Sequence, residues 1–247
     1  MSSLSQRLKQ RHFGWYVHPY AALIAAIERR LTRDSVLLDA GCGRTAPTLA
    51  KFQGKAKHLI GIDLVKFEPV PLDGVELHRR DLTDTGLAGS SIDLMYSQAV
   101  MEHIAEPDAV FAEIARVLKP QGACLALTAN KWDYASLIAR MVPNRFHPWI
   151  VRRTEGREEQ DVFPTVYRVN TRRDVARYAA RHGLEVAEFS YLGQYPSYFM
   201  FNGALFFFAT LYQKLIERFP PLHCLQGWIY FELVKPDESP AEARKAA

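Results

Sequence analysis

The stretch from Val36 to Gly43, VLLDAGCG, constrains the fold of this chain more than any other feature. A short aliphatic run ends in Asp39, and Gly41 and Gly43 follow one residue apart. The pattern is typical of a buried parallel strand that turns sharply and leaves backbone N–H groups free to bind a ligand. Glycine permits the tight turn and lets a ligand approach the main chain closely.

A second acidic strand end, Asp63 in the run GID, lies 24 residues after Asp39. Dinucleotide-binding folds place a ribose-binding acid roughly 20 residues beyond the glycine turn. The spacing therefore predicts a ligand that carries a ribose. Arg44-Thr45-Ala46-Pro47 follows Gly43, so the later glycine of the dinucleotide fingerprint is missing. Its absence disfavours an oxidoreductase that uses a nicotinamide cofactor.

Five motifs, in order over roughly residues 35–130, resemble those of the class I S-adenosylmethionine-dependent methyltransferases. They are the runs DAGCG (39–43), GIDL (61–64), RDL (80–82), SIDLMYS followed by VMEHI (91–104), and VLKPQG (117–122). Within that family, the set resembles the methyltransferase type 11 group. One position departs from the family pattern, because Thr45 stands where many members have a third glycine. The resemblance implies a Rossmann-like fold and S-adenosyl-L-methionine as the cofactor.

The resemblance also implies a role for each matching residue. Asp39 would bind the ammonium group of the cofactor, Asp63 its ribose hydroxyls, and Ser97 or Gln98 its methionine portion. The full set implied to bind the cofactor is Asp39, Gly41, Gly43, Asp63, Leu64, Asp81, Leu82 and Ser97. Asp39, Asp63 and Asp81 also suit ordinary turns, which is the structural alternative at each position.

Alternating strand and helix patterns predict a mostly parallel sheet with helices on both faces, an α/β fold. The family fold adds an antiparallel last strand, with insertions after strand 5 and between strands 6 and 7. Strands are predicted at 35–40, 58–62, 75–79, 92–96, 123–128, 184–190 and 227–234, and helices at 5–32, 46–51 and 107–118. The predicted domains are an N-terminal helical cap (1–34), the methyltransferase domain (35–236) and a flexible tail (237–247).

Two insertions are predicted inside that domain. Residues 130–170 would form a lid on the acceptor side, and residues 193–226 would contain an apolar helix. The run from 198 to 212 is almost entirely apolar, but it is shorter than the roughly 20 residues that span a bilayer. Such a helix must be covered, and three interpretations stay open: peripheral membrane contact, the wall of an acceptor pocket, or packing on the sheet or in a homodimer.

Composition excludes several classes of protein. The formal net charge of +4 is small and unpatterned, so no nucleic-acid partner is expected. The three cysteines form no CxxC spacing, which argues against a zinc site or a disulfide framework. No metal site is predicted. The first residues lack a hydrophobic signal core. We therefore expect a cytoplasmic protein, with contact to the inner membrane face as the alternative.

The acceptor side is less constrained by the sequence. His103 and His147 are the candidate general bases, with the anchoring of a turn as the alternative role for His103. Tyr167, Arg168 and Trp132 are the candidate substrate-binding residues, since an arginine can pair with an anionic group. The predicted activity is methyl transfer by in-line displacement to a small-molecule acceptor, including a lipid- or glycan-linked one. A non-catalytic cofactor-binding or scaffold protein, recruited through its apolar segment, is the alternative from another class.

Overall fold

The computed structural model describes residues 3–69, 73–134, 136–137 and 163–237. It contains one seven-stranded sheet. The strands are β1 (Val36–Ala40), β2 (His58–Asp63), β3 (Val75–Arg79), β4 (Ile92–Gln98), β5 (Leu118–Ala129), β6 (Glu185–Leu192) and β7 (Trp228–Val234). Residues 238–247 of the predicted tail, most of the predicted lid and His147 lie outside the described residues.

The order of the strands in the sheet is β3-β2-β1-β4-β5-β7-β6. Strands β1 to β5 pair in parallel, whereas β7 pairs antiparallel with both β5 and β6. The order reverses between β1 and β4, which is where open α/β sheets bind their ligands. The predicted α/β fold, with its antiparallel last strand and its insertion between strands 6 and 7, is confirmed.

Helices lie on both faces of the sheet. They are α1 (Leu4–Phe13), α2 (Pro19–Arg30), α3 (Pro107–Val117), α4 (Arg172–Arg181) and α5 (Gly203–Arg218). Short 3-10 helices span Leu49–Phe52, Met101–His103, Ser197–Phe199 and Pro220–Leu225. Each helix start follows from local chemistry: Ser3, Thr171 and Asn202 accept backbone N–H groups as N-caps, and Pro107 opens α3.

Alternate strand residues divide into two cores, as the two-residue period of a strand requires. Leu38, Ile60 and Met95 pack with α3 and α4 on one face, whereas their neighbours Leu37 and Leu94 pack with α2 on the other. The sheet is therefore buried on both faces near its centre. A ligand of the central strands must therefore bind at their ends rather than across a face.

Two predicted helices differ in the structure. The predicted helix 5–32 is broken between Phe13 and Pro19, where His18 caps α2 by accepting the Tyr20 N–H on Nδ1. The predicted helix 46–51 is replaced by the 3-10 helix Leu49–Phe52. Ala46 has a φ of 44°, which no α-helix tolerates, so the chain cannot turn directly from the glycine loop into a helix.

Candidate active site

The carboxyl ends of β1, β2 and β4 meet at one edge of the sheet. Asp39 of β1 lies opposite Gly61 of β2 and Tyr96 of β4, and Asp63 ends β2. The connection from β1 crosses this edge through residues 41–43. The two acids and the two glycines singled out by the sequence are therefore brought to the same place.

The glycine loop is fixed on one side and open on the other. Gly41 has a φ of 95°, and a Cβ there would lie 2.2 Å from Val100 Cγ2. The N–H groups of Gly41 and Cys42 both donate to the Ile62 carbonyl, at 2.8 and 3.1 Å. Gly43 has a φ of 72°, but a Cβ there would meet no atom within 4 Å. The loop thus has space for a ligand beside Gly43.

Asp63 is held by backbone N–H groups. Its Oδ2 accepts the Gly43 N–H at 2.7 Å, and its Oδ1 accepts the Val65 N–H at 3.1 Å. A carboxylate offers about four acceptor positions, so each oxygen keeps one for a ligand. The carboxylate is oriented in advance and can still accept two hydroxyl groups.

Asp39 is buried against Tyr96, a partner that the sequence reasoning missed. The Tyr96 hydroxyl donates to Asp39 Oδ2 at 2.5 Å, and both side chains are almost completely buried. Burial raises the pKa of Asp39 to about 7; the Tyr96 hydrogen bond opposes this rise and the nearby Asp63 charge adds to it. A buried carboxylate is costly when it has no partner of opposite charge, so this position suits the binding of a cation.

Cys42 lies between these groups. Burial, followed by the charges of Asp39 and Asp63, raises the pKa of its thiol far above the ordinary value. The thiol is therefore protonated and acts as a small buried side chain rather than as a nucleophile.

Asp81 and Leu64 line an open crevice beside Asp63. The crevice, about 480 Å³, is also lined by Arg79, Arg80 and Asp84. The N–H and hydroxyl of Thr83 both donate to Asp81 Oδ1 at 2.8 Å, the turn geometry that was the structural alternative for this residue. Leu64 is 47% exposed, whereas Leu82 packs against the core. The crevice therefore offers an apolar wall beside a carboxylate.

Ser97 has a different position from the other predicted residues. Its side chain is completely buried, and its hydroxyl has no hydrogen-bond partner among the described residues. Gln98, the next residue, is half-buried at the end of β4. Contact between the Ser97 side chain and a ligand at this edge would require the hydroxyl to become accessible.

His103 joins the turn after β4 to the chain that follows the predicted lid. Its Nδ1 lies 3.1 Å from the Pro164 carbonyl, which can only accept, so Nδ1 donates and Nε2 is the remaining nitrogen. The Glu102 carbonyl accepts the N–H groups of Val166 and Tyr167 at 2.8 and 3.0 Å. These contacts give His103 a structural role and leave Nε2 for a second one.

The candidate substrate residues do not form one cluster. Tyr167 is buried with a φ of 50°, and the exposed Arg168 donates to the Ala105 carbonyl. Trp132 is 47% exposed and follows Asn130, whose Nδ2 donates to the carbonyls of Cys224 and Gln226 at 2.7 Å. Trp132 therefore lies near the insertion before β7, whereas Tyr167 and Arg168 lie beside the turn after β4.

A buried polar network at the end of β5 was also missed. Thr128 donates its hydroxyl to Glu102 Oε2 at 2.7 Å, and Asn170 Nδ2 donates to that hydroxyl and to the Ala129 carbonyl at 2.7 Å. All three side chains are buried. The network connects the turn after β4 to the segment that leads into α4. No local spacing in the sequence predicts it.

Aromatic residues lie at the same edge on the β5–β7 side. Trp228, which starts β7, contacts the rings of His18 and Tyr20 at centroid distances of 5.8 and 5.4 Å. Tyr16 packs against Tyr195 at 5.3 Å. Burial lowers the pKa of His18, so its ring is a neutral member of this group.

Two features, a metal-binding cluster and a membrane-spanning helix, are absent from the described residues. Within residues 3–69, 73–134, 136–137 and 163–237, no three His, Cys, Asp or Glu side chains are grouped to hold a metal ion. In the same part of the chain, no helix has the length and apolar character needed to cross a bilayer.

The segment of this chain that contains the site is similar in sequence to known proteins. A family model described as a methyltransferase domain matches residues 38–126, from β1 to β5. A dimethylglycine N-methyltransferase from Parasynechococcus marenigrum is 27% identical over 137 residues, which cover 47% of this chain and 49% of that protein. The chain spans 34% and 49% of the lengths of two curated relatives that it matches.

The fold similarity extends over most of the chain. The YcgJ protein from Bacillus subtilis has a TM-score of 0.55 at 14% identity, covering 89% of this chain and 100% of that one. Geranyl diphosphate C-methyltransferase from Streptomyces coelicolor A3(2), solved with S-adenosyl-L-homocysteine, has a TM-score of 0.52 at 14% identity, covering 87% and 78%. At these identities the structures establish a shared fold.

Proposed function

We propose that the chain is a class I S-adenosylmethionine-dependent methyltransferase that transfers a methyl group to a small-molecule acceptor. The match of a methyltransferase-domain model to residues 38–126 supports this proposal. The cofactor supplies, when bound, a methyl group on a positively charged sulfur. The chain then has to bind the cofactor, orient the acceptor in line and exclude water, a task that needs no fixed catalytic triad.

One observation carries this proposal. The Asp63 carboxylate is held by the Gly43 and Val65 N–H groups, at 2.7 and 3.1 Å, next to open space at Gly43. Its two spare acceptor positions suit the paired hydroxyls of a ribose. The crevice lined by Leu64, which follows Asp63 in the chain, and by Asp81 suits an adenine ring. The residues present therefore fit the adenosyl part of the cofactor.

Asp39 fits the other end of the cofactor. Its carboxyl lies one strand away from Asp63, buried and hydrogen-bonded to Tyr96 at 2.5 Å. An ionised carboxylate in such a place is costly without a partner. An ammonium group supplies that partner, and the methionine portion of the cofactor carries one. Gly43 leaves the backbone next to Asp63 open, whereas the Val100 side chain packs against Gly41.

For the acceptor we propose a small molecule, including a lipid- or glycan-linked one. The aromatic residues around Trp228 at the β5–β7 side of the edge support an acceptor with an apolar part. Arg168 makes no ion pair among the described residues, so its charge could serve an anionic group. His103 Nε2 is the proposed general base, provided that the acceptor loses a proton.

Calorimetry tests the cofactor part of this proposal. We expect S-adenosyl-L-homocysteine to bind and NAD to bind far more weakly or undetectably, because the dinucleotide glycine pattern is missing after Gly43. Preference for NAD would overturn the assignment. Formation of S-adenosyl-L-homocysteine from the methyl donor, in the presence of fractionated small molecules and lipids, then separates an enzyme from a cofactor-binding scaffold. A scaffold would bind and show no acceptor-dependent product.

A further inference from the structure

The outer surface of α5 is apolar. Its exposed residues from 204 to 215 are Ala204, Leu205, Phe207, Phe208, Leu211 and Leu215. The buried side of the helix contains Phe206, Thr210, Gln213 and Ile216. Phe208 is 67% exposed while Gln213 is 2% exposed, which inverts the usual arrangement of a surface helix.

This surface continues past both ends of the helix. Phe201 before it is 80% exposed, and Phe219 after it is 50% exposed. We call the set Phe201, Leu205, Phe207, Phe208, Leu211, Leu215 and Phe219 the outer apolar face. Scattered apolar side chains are normal on a protein surface, but a contiguous stripe of this kind marks an interaction site.

A basic helix lies alongside this face. Leu4 of α1 packs against Gly203, where a Cβ would lie 2.8 Å from Leu4 Cδ2, and Phe13 contacts the Phe206 ring at 6.3 Å. Helix α1 carries Arg7, Lys9 and Arg11 and contains no acidic residue. Arg7 and Arg11 are exposed and lie one helical turn apart.

More positive charge and an amphipathic aromatic residue complete the border. Lys214 of α5, which pairs with Glu217 at 3.0 Å, lies 5.1 Å from the ring of Trp15, which is 68% exposed. Arg218 is exposed at the end of α5. Tryptophan and long basic side chains are typical of the boundary between the apolar and polar layers of a membrane.

We infer that the outer apolar face docks on an anionic membrane surface, with α5 lying in the plane of the headgroups. An apolar helix face bordered by arginine and lysine is the chemistry that binds such surfaces. The 16 residues of α5 extend about 24 Å, which suits a helix lying on the bilayer. A second copy fits less well, because α1 offers no acidic residue to pair with the basic groups of its mate. This inference stands independently of the proposed activity.

Vesicle flotation tests the inference with the full-length chain. The probes are phosphatidylcholine vesicles with and without phosphatidylserine, at low and raised salt. We expect binding to the anionic vesicles that weakens at high salt, because each exposed arginine near the surface contributes electrostatic attraction. Absence of binding to the anionic vesicles would overturn the inference.

Paired variants locate the surface. Phe208→Ser with Leu211→Ser should lower vesicle partitioning by more than about tenfold, and Arg7→Gln with Arg11→Gln by about tenfold or more. The controls are Val186→Ser, which changes an exposed residue on β6, and Arg33→Gln with Lys57→Gln, which removes two exposed charges before β1 and β2. Both controls should bind like the wild type.

Two further outcomes would contradict membrane docking. One is vesicle binding that the α5 substitutions leave unchanged. The other is a dimer in solution that Phe208→Ser with Leu211→Ser converts to a monomer, with no vesicle binding by either form. Affinity for S-adenosyl-L-homocysteine, measured in parallel, should stay at the wild-type value in every variant, so a failure of docking is distinguishable from a failure of the proposed function.

Discussion

The hydrogen bond from Tyr96 to Asp39 should control how cofactor affinity depends on pH. Asp39 can bind an ammonium group only when ionised, and its pKa in the free protein is raised to about 7. Near pH 7 the group is therefore about half ionised in the wild type. Affinity for S-adenosyl-L-homocysteine should rise as the pH increases toward this value and then level off, about tenfold per pH unit on the acidic side.

Tyr96→Phe removes the donor at 2.5 Å and leaves the ring in place. A hydrogen bond to a charged group contributes about 1.5–3 kcal/mol, which corresponds to about 1–2 pKa units. The pKa of Asp39 should rise to about 8–9. At pH 7 the ionised fraction, and with it the affinity, should fall about 5-fold to 50-fold. Near pH 9 the difference should shrink to about 1.1-fold for a 1-unit shift and to about twofold for a 2-unit shift.

Calorimetry across this pH range measures the effect. Tyr178→Phe is the matched control, because the Tyr178 ring packs on the core while no hydrogen bond of its hydroxyl occurs in the described part of the chain. Its pH profile should match the wild type. Affinity that is flat with pH in the wild type and equal in Tyr96→Phe would refute the coupling of Asp39 ionisation to binding.

Three further predictions concern single positions. Gly43→Ala and Gly74→Ala should each destabilise the fold by about 1 kcal/mol, since both glycines have a φ of 72° and open space around the position of a Cβ. Only Gly43→Ala should weaken binding of S-adenosyl-L-homocysteine. Equal affinities of the two variants would show that the loop does not contact this ligand. Thr128→Val should lower stability by about 2–4 kcal/mol in urea denaturation, because the buried Glu102 and Asn170 each lose a hydrogen bond. An unchanged midpoint would show that the network does not contribute to stability. His103→Asn keeps a donor for the carbonyl that Nδ1 contacts, so cofactor affinity should persist while the rate of methyl transfer falls. An unchanged rate would restrict His103 to positioning.

The strands could be predicted because their patterns are local. Buried aliphatic runs ending in Asp39 and Asp63 are read directly from the chain, and the structure ends β2 at Asp63 and β1 just after Asp39. The parallel pairing then brings both acids to one edge. Sequence spacing was sufficient here because strand ends in a parallel sheet share a side.

The partners of these residues could not be predicted. Tyr96 meets Asp39 only because β4 pairs with β1 in one register, and a slip by one residue would turn the ring to the other face. The contacts of Thr128 with Glu102 and Asn170 join three separate segments. Such contacts depend on tertiary packing, on which local patterns carry no information.

Two helix predictions were wrong because the backbone at one residue outweighed the periodic pattern of apolar side chains. The run from 46 to 51 has helical composition, yet the φ of 44° at Ala46 delays the helix and leaves only a 3-10 turn. The predicted helix 5–32 satisfied the spacing of apolar residues, but Pro19 with its cap at His18 starts a new helix. In both cases a backbone constraint outweighed side-chain periodicity.

The most direct test of the account is the affinity of Asp63→Asn for S-adenosyl-L-homocysteine, compared with that of Asp34→Asn. The amide keeps the size of the side chain and an acceptor for the Gly43 N–H, but it loses the charge that the ribose hydroxyls would meet. Asp34 is exposed before β1, outside the site. We predict a loss of about tenfold to a hundredfold in Asp63→Asn and none in Asp34→Asn. Equal affinities for the two variants and the wild type would contradict the claim that Asp63 holds the cofactor.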